Sequence, residues 1–393
     1  MKAKKKVAAI VTEYRHNSHA DVIVGKILEG FDHRGNGFPD LELVTMYVDQ
    51  FPKNDMSRDL AKKHGFHLCK TIEEALTLGG NKLVVEGVLL IGEHGNYPFN
   101  EKGQHLYPRR RFFEATIAAF DRCQQVVPVF NDKHLAATWE DAHWMYEQAR
   151  KRMIPFMAGS SLPVTWRKPP LTLPRGCELE SVVALGYGPF ESYGFHMLEM
   201  MQCMVERRKG FETGVRSVTC LTGPAMWQPF DQGLFPQALV DVGIELIPSH
   251  SKGDYRKAVA GNPEGGLFLV EYRDGLRAAA ILMNGFAYEG FSGAFVFVCK
   301  LRGQDKPLAS HFYLENRRPF GHFAYQLKAI EHMIHTGHPA YPVERTLLTT
   351  GILDAVMTSR FEKNKRIETP YLAIRYTPTD WPHAPDPAPP PHD

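Results

Sequence analysis

Apolar positions along the first 160 residues follow two alternating rhythms. Short continuous apolar runs, such as "KVAAIVTEY", "LELVTMYVDQ" and "KLVVEGVLLIG", alternate with stretches whose apolar residues recur every third or fourth position, such as "SHADVIVGKILEGF" and "RRRFFEATIAAFDRCQQ". The first rhythm predicts strands buried on both faces and the second amphipathic helices; together they predict βαβ units around a parallel sheet. Capping residues mark the helices. Asn17 or Ser18 precedes the first, Thr138 precedes "WEDAHWMYEQARKR", Gly65 follows "MSRDLAKKH", and Gly79 and Gly80 follow "TIEEALTL". "VVPVF" and "IPFMAG" add two more strands, completing a doubly wound, Rossmann-like domain over residues 1–160.

The texture changes at "SSLPVTWRKPPLTLPRG", which is proline-rich and irregular and reads as the crossover into a second domain, residues 161–378. Strand patterns dominate there: "SVVALGYG", "VRSVTCLTG", "LFLVEYRDGLRAAAILMNG" and "GAFVFVCKLRG". The third contains Asp274-Gly275 between two apolar runs, a hairpin signal, so the expected sheet is open and mainly antiparallel. "ESYGFHMLEMMQCMVERRKG" predicts a helix on one face of it, and "FGHFAYQLKAIEHMIHTG" and "PVERTLLTTGILDAVMTSRFEKN" predict two more. Residues 379–393 form a proline-rich tail that cannot build a core and is expected to be disordered.

Composition narrows the function classes. The chain has 393 residues, enough for two cores, and 46 basic residues balance 44 acidic ones, so it carries no electrostatic footprint for nucleic acid. Six scattered cysteines without a CxxC pair read as reduced thiols of a cytoplasmic chain. The apolar run "VAAIV" behind the basic "MKAKKK" is too short for a signal peptide, and no run reaches the roughly 18 to 20 residues of a membrane span.

Candidate chemistry gathers where a parallel sheet presents its ligand crevice, beyond the carboxyl ends of the strands. Glu13, Tyr14, Arg15 and His16 follow the first strand, Glu93 and His94 follow "LLIG", and Asp132, Lys133 and His134 follow "VPVF". Purely structural turns draw more often on Gly, Asn, Ser and Pro. Glu93-His94 opens a loop too long for a simple connection, which holds His105, Tyr107 and the run Arg109-Arg110-Arg111. The arginines suit bidentate anion binding, though a solvated helix start is the plainer reading. Glu13, His16, Glu93, His94 and His196 are ligand types for a divalent cation, yet no local motif such as HExxH groups them. Tyr187 and Tyr193, in "GYGPFESYG", suit a sugar-stacking platform or a simple bend.

The order of elements and several landmarks resemble the Gfo/Idh/MocA family of sugar and cyclitol oxidoreductases. "VAAIVTEYRHNSHA" sits where that family has a strand, a GxGxxG turn and a His-Ala pair, matched here by His19-Ala20. Asp132-Lys133-His134 stands in the place of a Glu-Lys-Pro signature, and Ser192, Gly194 and His196 in that of an Asp-x-Gly-x-His segment. Trp166-Arg167 is similar to the family's Arg-Phe segment. The resemblance implies a substrate site in an interdomain cleft, self-association through the open sheet, Lys133 beside the reacting oxygen, and His196 as proton relay. It also implies a nicotinamide dinucleotide, NAD or NADP, held at Glu13, Tyr14, Arg15, His16 and Asp132. Substrate contacts would come from His94, His105, Tyr193, Trp166 and Arg167.

The departures carry weight as well. Val11, Glu13 and His16 align with the three glycines of the turn, and a glutamate there brings bulk and negative charge to a diphosphate's place. Two like charges at ~4 Å repel by several kcal/mol at an intermediate dielectric. Three functions follow as expectations. The first is an oxidoreductase for a sugar, cyclitol or related polyol, with non-standard nicotinamide binding and Lys133, His196 and Glu93 as catalytic groups. The second is a non-redox hydrolase, lyase or isomerase on the same scaffold, using Glu13, Glu93 and His94, with or without a divalent metal. The third is a ligand sensor without chemistry.

Overall fold

The computed structural model describes residues 4–287, 293–315 and 317–390. The chain divides into two compact units: Met1–Pro98, His105–Ser161 and Arg317–Val343 form one, and Phe99–Gln104, Leu162–Asn316 and Glu344–Asp393 the other.

The first unit is a six-stranded parallel sheet with strands β1 (Lys5–Val11), β2 (Leu41–Val48), β3 (His67–Cys69), β4 (Gly87–Ile91), β5 (Val129–Asp132) and β6 (Phe156–Gly159), in the order β3-β2-β1-β4-β5-β6. Helices α1 (His19–Glu29), α2 (Ser57–His64), α3 (Ile72–Thr77), α4 (Arg109–Cys123) and α5 (Trp139–Lys151) connect the strands. Strand β4 and all but the first two residues of β1 are fully buried, as continuous apolar runs at the centre of a covered sheet require. The caps of α1, α5 and α2 act as expected, whereas α3 ends on Leu78 in the left-handed region, one residue before the expected Gly79. Ser18 accepts the Asp21 N–H at the start of α1, Thr138 accepts the Asp141 N–H at the start of α5, and Gly65 closes α2 in the left-handed region at φ 80°.

The second unit carries an eight-stranded sheet ordered β14-β9-β10-β11-β8-β12-β13-β7. Its strands are β7 (Trp166–Lys168), β8 (Leu179–Gly186), β9 (Val215–Thr222), β10 (Gly266–Tyr272), β11 (Arg277–Leu282), β12 (Val296–Leu301), β13 (Leu308–Tyr313) and β14 (Ile367–Glu368). All neighbours are antiparallel except β8 and β11, so the sheet is mixed. Helix α6 (Ser192–Val205) packs on β8 and β11, and the short helices α7 (Gln228–Asp231), α8 (Gln237–Glu245) and α9 (Tyr255–Ala260) follow β9. The Asp274-Gly275 hairpin joins β10 to β11, with Gly275 at φ 93°. Strand β7 lies inside the stretch read as irregular crossover. It is only three residues long and at the sheet edge, because Pro169 and Pro170 behind it cannot donate to a ladder.

Helix α10 (Gly321–Thr336) belongs to the first unit, where it packs on α1, whereas α11 (Val343–Phe361) lies almost wholly in the second. Gly87 gives Ile334 of α10 its place, since a Cβ there would meet the isoleucine at 2.8 Å. The proline-rich end, as far as residue 390, runs along the second unit: Ala384 is buried and donates to the Val164 carbonyl, and Asp380 pairs with Arg175 and Arg207. Proline has no N–H to satisfy, so such a segment can dock through a few polar contacts without regular structure.

Candidate functional site

Parallel register brings the functional turns of the first unit together. Val11 pairs with Ile91, Leu90 with Asn131, and Asp132 with Gly159, so the residues just beyond β1, β4, β5 and β6 emerge at one edge of the sheet. Strand order reverses between β1 and β4, the point where open α/β sheets hold ligands. The first two turns are stitched directly: the Thr12 hydroxyl donates to the Glu93 carbonyl at 2.6 Å.

Glu93 is the centre of the cluster. One carboxylate oxygen lies 2.9 Å from Lys133 Nζ and the other 2.7 Å from Arg109 Nη2, and all three residues are buried. Burial alone would raise the Glu93 pKa, but Lys133 and Arg109, aided by His19 and His94, hold it well below the ordinary carboxylate range. Arg109 also donates from Nη1 to His134 Nε2 at 3.0 Å. A guanidinium cannot accept, so this imidazole is neutral with its proton on Nδ1. Gly92 makes the arrangement possible, because a Cβ there would lie 2.7 Å from Arg109 Cγ.

Lys133 is held in an unusual backbone state, the left-handed region at φ 63°. Its N–H donates to the Gly159 carbonyl, and the Asn131 side-chain amide donates to the carbonyls of Asp132 and His134 on either side. For a residue other than glycine this conformation costs on the order of 1–3 kcal/mol, and such strain concentrates at functional sites. His94 is also left-handed, at φ 70°.

A histidine group adjoins the cluster. His19, on the first turn of α1, donates from Nδ1 to Asp132 Oδ2 at 2.6 Å, and its side chain is 14% exposed against 1% for Asp132. Its ring meets His94 at 5.4 Å and Phe323 at 5.2 Å, both edge-on. Burial, reinforced by the nearby His19 charge, pulls His94 down to about 3; burial, with Lys26 and His19, takes His322 to about 3. Both are neutral imidazoles at any ordinary pH. His19 stands as the imidazole of this group whose tautomer a buried carboxylate fixes.

The turn between β1 and α1 is tied internally through its carboxylates and Ser18. Glu13 accepts from Arg15 Nε at 2.6 Å. Asp21, buried in the first turn of α1, accepts the Asn17 N–H at 2.9 Å and Arg318 Nη2 at 2.8 Å, and Ser18 Oγ accepts the N–H groups of Arg15 and Asp21. Tyr14 is fully buried and its carbonyl accepts the Met56 N–H. Beyond β2, Asp49 accepts from Tyr47, Tyr97 and Arg111, each at 2.6 Å.

Other sequence candidates go elsewhere. The five residues named for a metal do not gather: Glu93 is spent on Lys133 and Arg109, Glu13 on Arg15, His16 is exposed 3.8 Å from Asp21, and His196 belongs to the other unit. No group of three or more His, Cys, Asp or Glu side chains suited to a metal ion occurs among the described residues. The arginine run splits. Arg110 and Arg111 are solvated helix-start residues paired with Asp141 and Asp49, but Arg109 is buried, which corrects the reading of the whole run as solvated. His105 bonds the Tyr97 carbonyl and stacks on Tyr107. In the second unit Tyr193, His196, Tyr187 and Phe295 form an aromatic group, Trp166 packs on Tyr313, and the Arg167 guanidinium bonds the carbonyls of Pro163 and Leu171. Sequence patterns gave no site role to Asp21 and Asp49, named His19 only as a landmark of the aligned turn, and named Arg109 only within the arginine run. The adjacency of His19 to the aligned turn was the available signal.

Fold and strand-end placement define a two-domain α/β protein of Gfo/Idh/MocA-like fold, a Rossmann-like sheet followed by a mixed, mainly antiparallel one. Among solved structures it is similar to GenD2 from gentamicin A biosynthesis in complex with NAD (13% identity, 94% of this chain and 97% of that one, TM-score 0.56). It is also similar to scyllo-inositol dehydrogenase from Lactobacillus casei with bound NAD(H) and scyllo-inositol (11%, 93% and 99%, 0.57), and to a myo-inositol dehydrogenase from Corynebacterium glutamicum (12%, 93% and 98%, 0.55). At these identities the likeness concerns the fold. No family model and no curated protein matches the sequence. No helix among the described residues is long and apolar enough to cross a membrane, and all six cysteines are free thiols.

A dinucleotide is implied by the fold, and the residues present do not fit the usual way of holding one. That arrangement needs free N–H groups at the start of α1 for the diphosphate and an acidic side chain after β2 for a ribose. Here Asp21 and Ser18 take N–H groups at the start of α1, Glu13 adds a second carboxylate, and Asp49 already accepts three hydrogen bonds.

Proposed function

We propose that the chain is an acid–base enzyme of isomerase or lyase type acting on a polyhydroxylated carbonyl compound of the sugar or cyclitol kind. The observation that carries the reading is the His19–Asp132 pair at 2.6 Å, one residue from a buried Lys133 whose charge Glu93 stabilises. With Nδ1–H given to Asp132, His19 Nε2 has a lone pair for a proton. It takes that proton from the carbon next to the substrate carbonyl. The C–H electron pair becomes a C=C bond, and the carbonyl π pair moves onto oxygen. Lys133 uses one N–H on Glu93 and offers another to that oxygen, stabilising the developing charge. For isomerisation, the hydroxyl on the deprotonated carbon passes its proton to the first oxygen and its O–H pair forms the new C=O, while the C=C pair takes the imidazolium proton at the former carbonyl carbon. For elimination, the oxyanion re-forms C=O, the C=C pair shifts towards the next carbon, and the hydroxyl there leaves with the imidazolium proton as water. No oxidant is needed. The likeness to a scyllo-inositol dehydrogenase solved with scyllo-inositol supports the substrate class.

A second reading, an oxidoreductase with the dinucleotide held in a non-standard way, is favoured by the same likeness, since GenD2 and the Lactobacillus casei enzyme are solved with NAD. One experiment separates the two. The protein is incubated in deuterium oxide with a panel of aldoses, ketoses and inososes, and proton NMR follows the C–H beside the carbonyl. Deuterium exchange without added dinucleotide, abolished by His19→Asn, is expected. Turnover strictly dependent on NAD or NADP, without exchange in its absence, sinks the acid–base reading.

A further inference from the structure

We infer that the dinucleotide position of this fold has been filled from inside, Glu13 and Asp21 standing as built-in anions where a diphosphate would lie. Two guanidiniums reach the turn, Arg15 and Arg318, and these are the side chains best suited to a phosphate. Each is already neutralised, Arg15 by Glu13 at 2.6 Å and Arg318 by Asp21 at 2.8 Å. Three backbone N–H groups of the turn are engaged in the same way. The Asn17 N–H points at Asp21 Oδ2, while those of Arg15 and Asp21 point at Ser18 Oγ. Asp21 is 2% exposed and Glu13 7% exposed, so neither carboxylate is a mobile surface group that a ligand could push aside.

The ribose end provides an independent observation. Asp49 directly follows β2, the position of the ribose carboxylate in dinucleotide-binding domains. Its oxygens accept from Tyr47, Tyr97 and Arg111, and although burial alone would raise its pKa, these three partners hold it below the ordinary range. Partners from the chain itself thus engage both handholds of a dinucleotide, at separate strand ends. The inference deepens the acid–base reading by removing the redox cofactor from this position, but it stands on different residues from the His19–Asp132 pair and is tested by binding alone.

The test titrates NADH, NADPH and inorganic pyrophosphate into the full chain by calorimetry. The wild type is expected to bind none of the three saturably in the micromolar range. The variant Glu13→Gln/Asp21→Asn keeps side chains of nearly the same shape while releasing Arg15 and Arg318 from their carboxylates. It is expected to bind pyrophosphate at least about tenfold more tightly than the wild type. Far-UV circular dichroism and a cooperative melt establish that the variant is folded. Should it not fold, Glu13→Gln alone, which leaves the Asp21–Arg318 pair intact, replaces it with the same criterion and a smaller expected gain. Micromolar NADH or NADPH binding by the wild type, displaced by pyrophosphate, overturns the inference. So does a folded variant with unchanged pyrophosphate affinity.

Discussion

Lys133 Nζ lies 2.9 Å from Glu93 Oε1, and the pair joins the ends of β4 and β5 through side chains that are both almost wholly buried. Two buried cations, Lys133 and Arg109, share this single carboxylate. Removing the shared partner of buried charges costs more than the pair itself contributes, because an uncompensated ion is left behind.

Glu93→Gln should therefore destabilise the protein by about 3–5 kcal/mol in urea unfolding, more than Lys133→Met, which leaves Arg109 to compensate the carboxylate. In a double-mutant cycle Glu93 and Lys133 should couple by about 1–3 kcal/mol. Additive losses would mean that the two charges are not in contact in solution.

Stability should fall with acid in two windows. His94 and His322, drawn down to about 3, and His33, drawn down to about 4, are neutral in the folded state while the unfolded chain protonates them near 6.5. Their contribution is complete above about 6.5 and is lost as the pH falls towards the folded values. Glu93, depressed in the folded state, contributes fully above its unfolded value of about 4.3 and loses that contribution only below it. Urea midpoints measured from neutral pH to pH about 2 check this. His94→Gln/His322→Gln should flatten the upper window and leave the lower one; an equally steep loss in that variant contradicts the assignment.

The alternation of apolar runs was enough to read the first sheet, because strands buried on both faces announce themselves and the polar residues behind them mark one edge. It also brought Glu93, Lys133 and Asp132 to the same edge. Which of them touch was not legible. Besides Lys133, Glu93 pairs with Arg109, one of three consecutive arginines, and the space above Gly92 admits it. Arg318, which closes the α1 turn over Asp21, comes from a segment nearly 300 residues away, and no local period encodes that return. Strand β7 was hidden by the prolines that shorten it.

The space above Gly92 gives a direct test. A methyl group there would lie 2.7 Å from Arg109 Cγ, so Gly92→Ala should expel the guanidinium from Glu93 and His134 together. Arg109→Lys keeps the charge but can reach only one of the two partners, and each should cost about 1–3 kcal/mol. Arg110→Ala and Arg111→Ala, on solvated side chains, should stay within about 1 kcal/mol of wild type. Thermal melts rank the four variants, and equal losses at all three arginines would remove Arg109 from its special place.

The His19–Asp132 pair makes a prediction that needs no substrate. A carboxylate accepts only, so the 2.6 Å contact requires the proton of neutral His19 on Nδ1. Long-range proton–nitrogen correlation spectra should show that tautomer in the wild type. Asp132→Asn can offer the ring an N–H instead and should shift the population towards the Nε2–H form, taking away the lone pair that the proposed proton transfer uses. The fold should survive, because Asn is nearly isosteric and the Asp132 carbonyl keeps its bond to Asn131. Proton exchange on a responsive sugar should fall roughly 10²–10⁴-fold, the range for loss of a positioned general base. If the tautomer shifts and exchange does not fall, His19 is a packed residue beside the true base; if neither changes, the contact does not orient the ring.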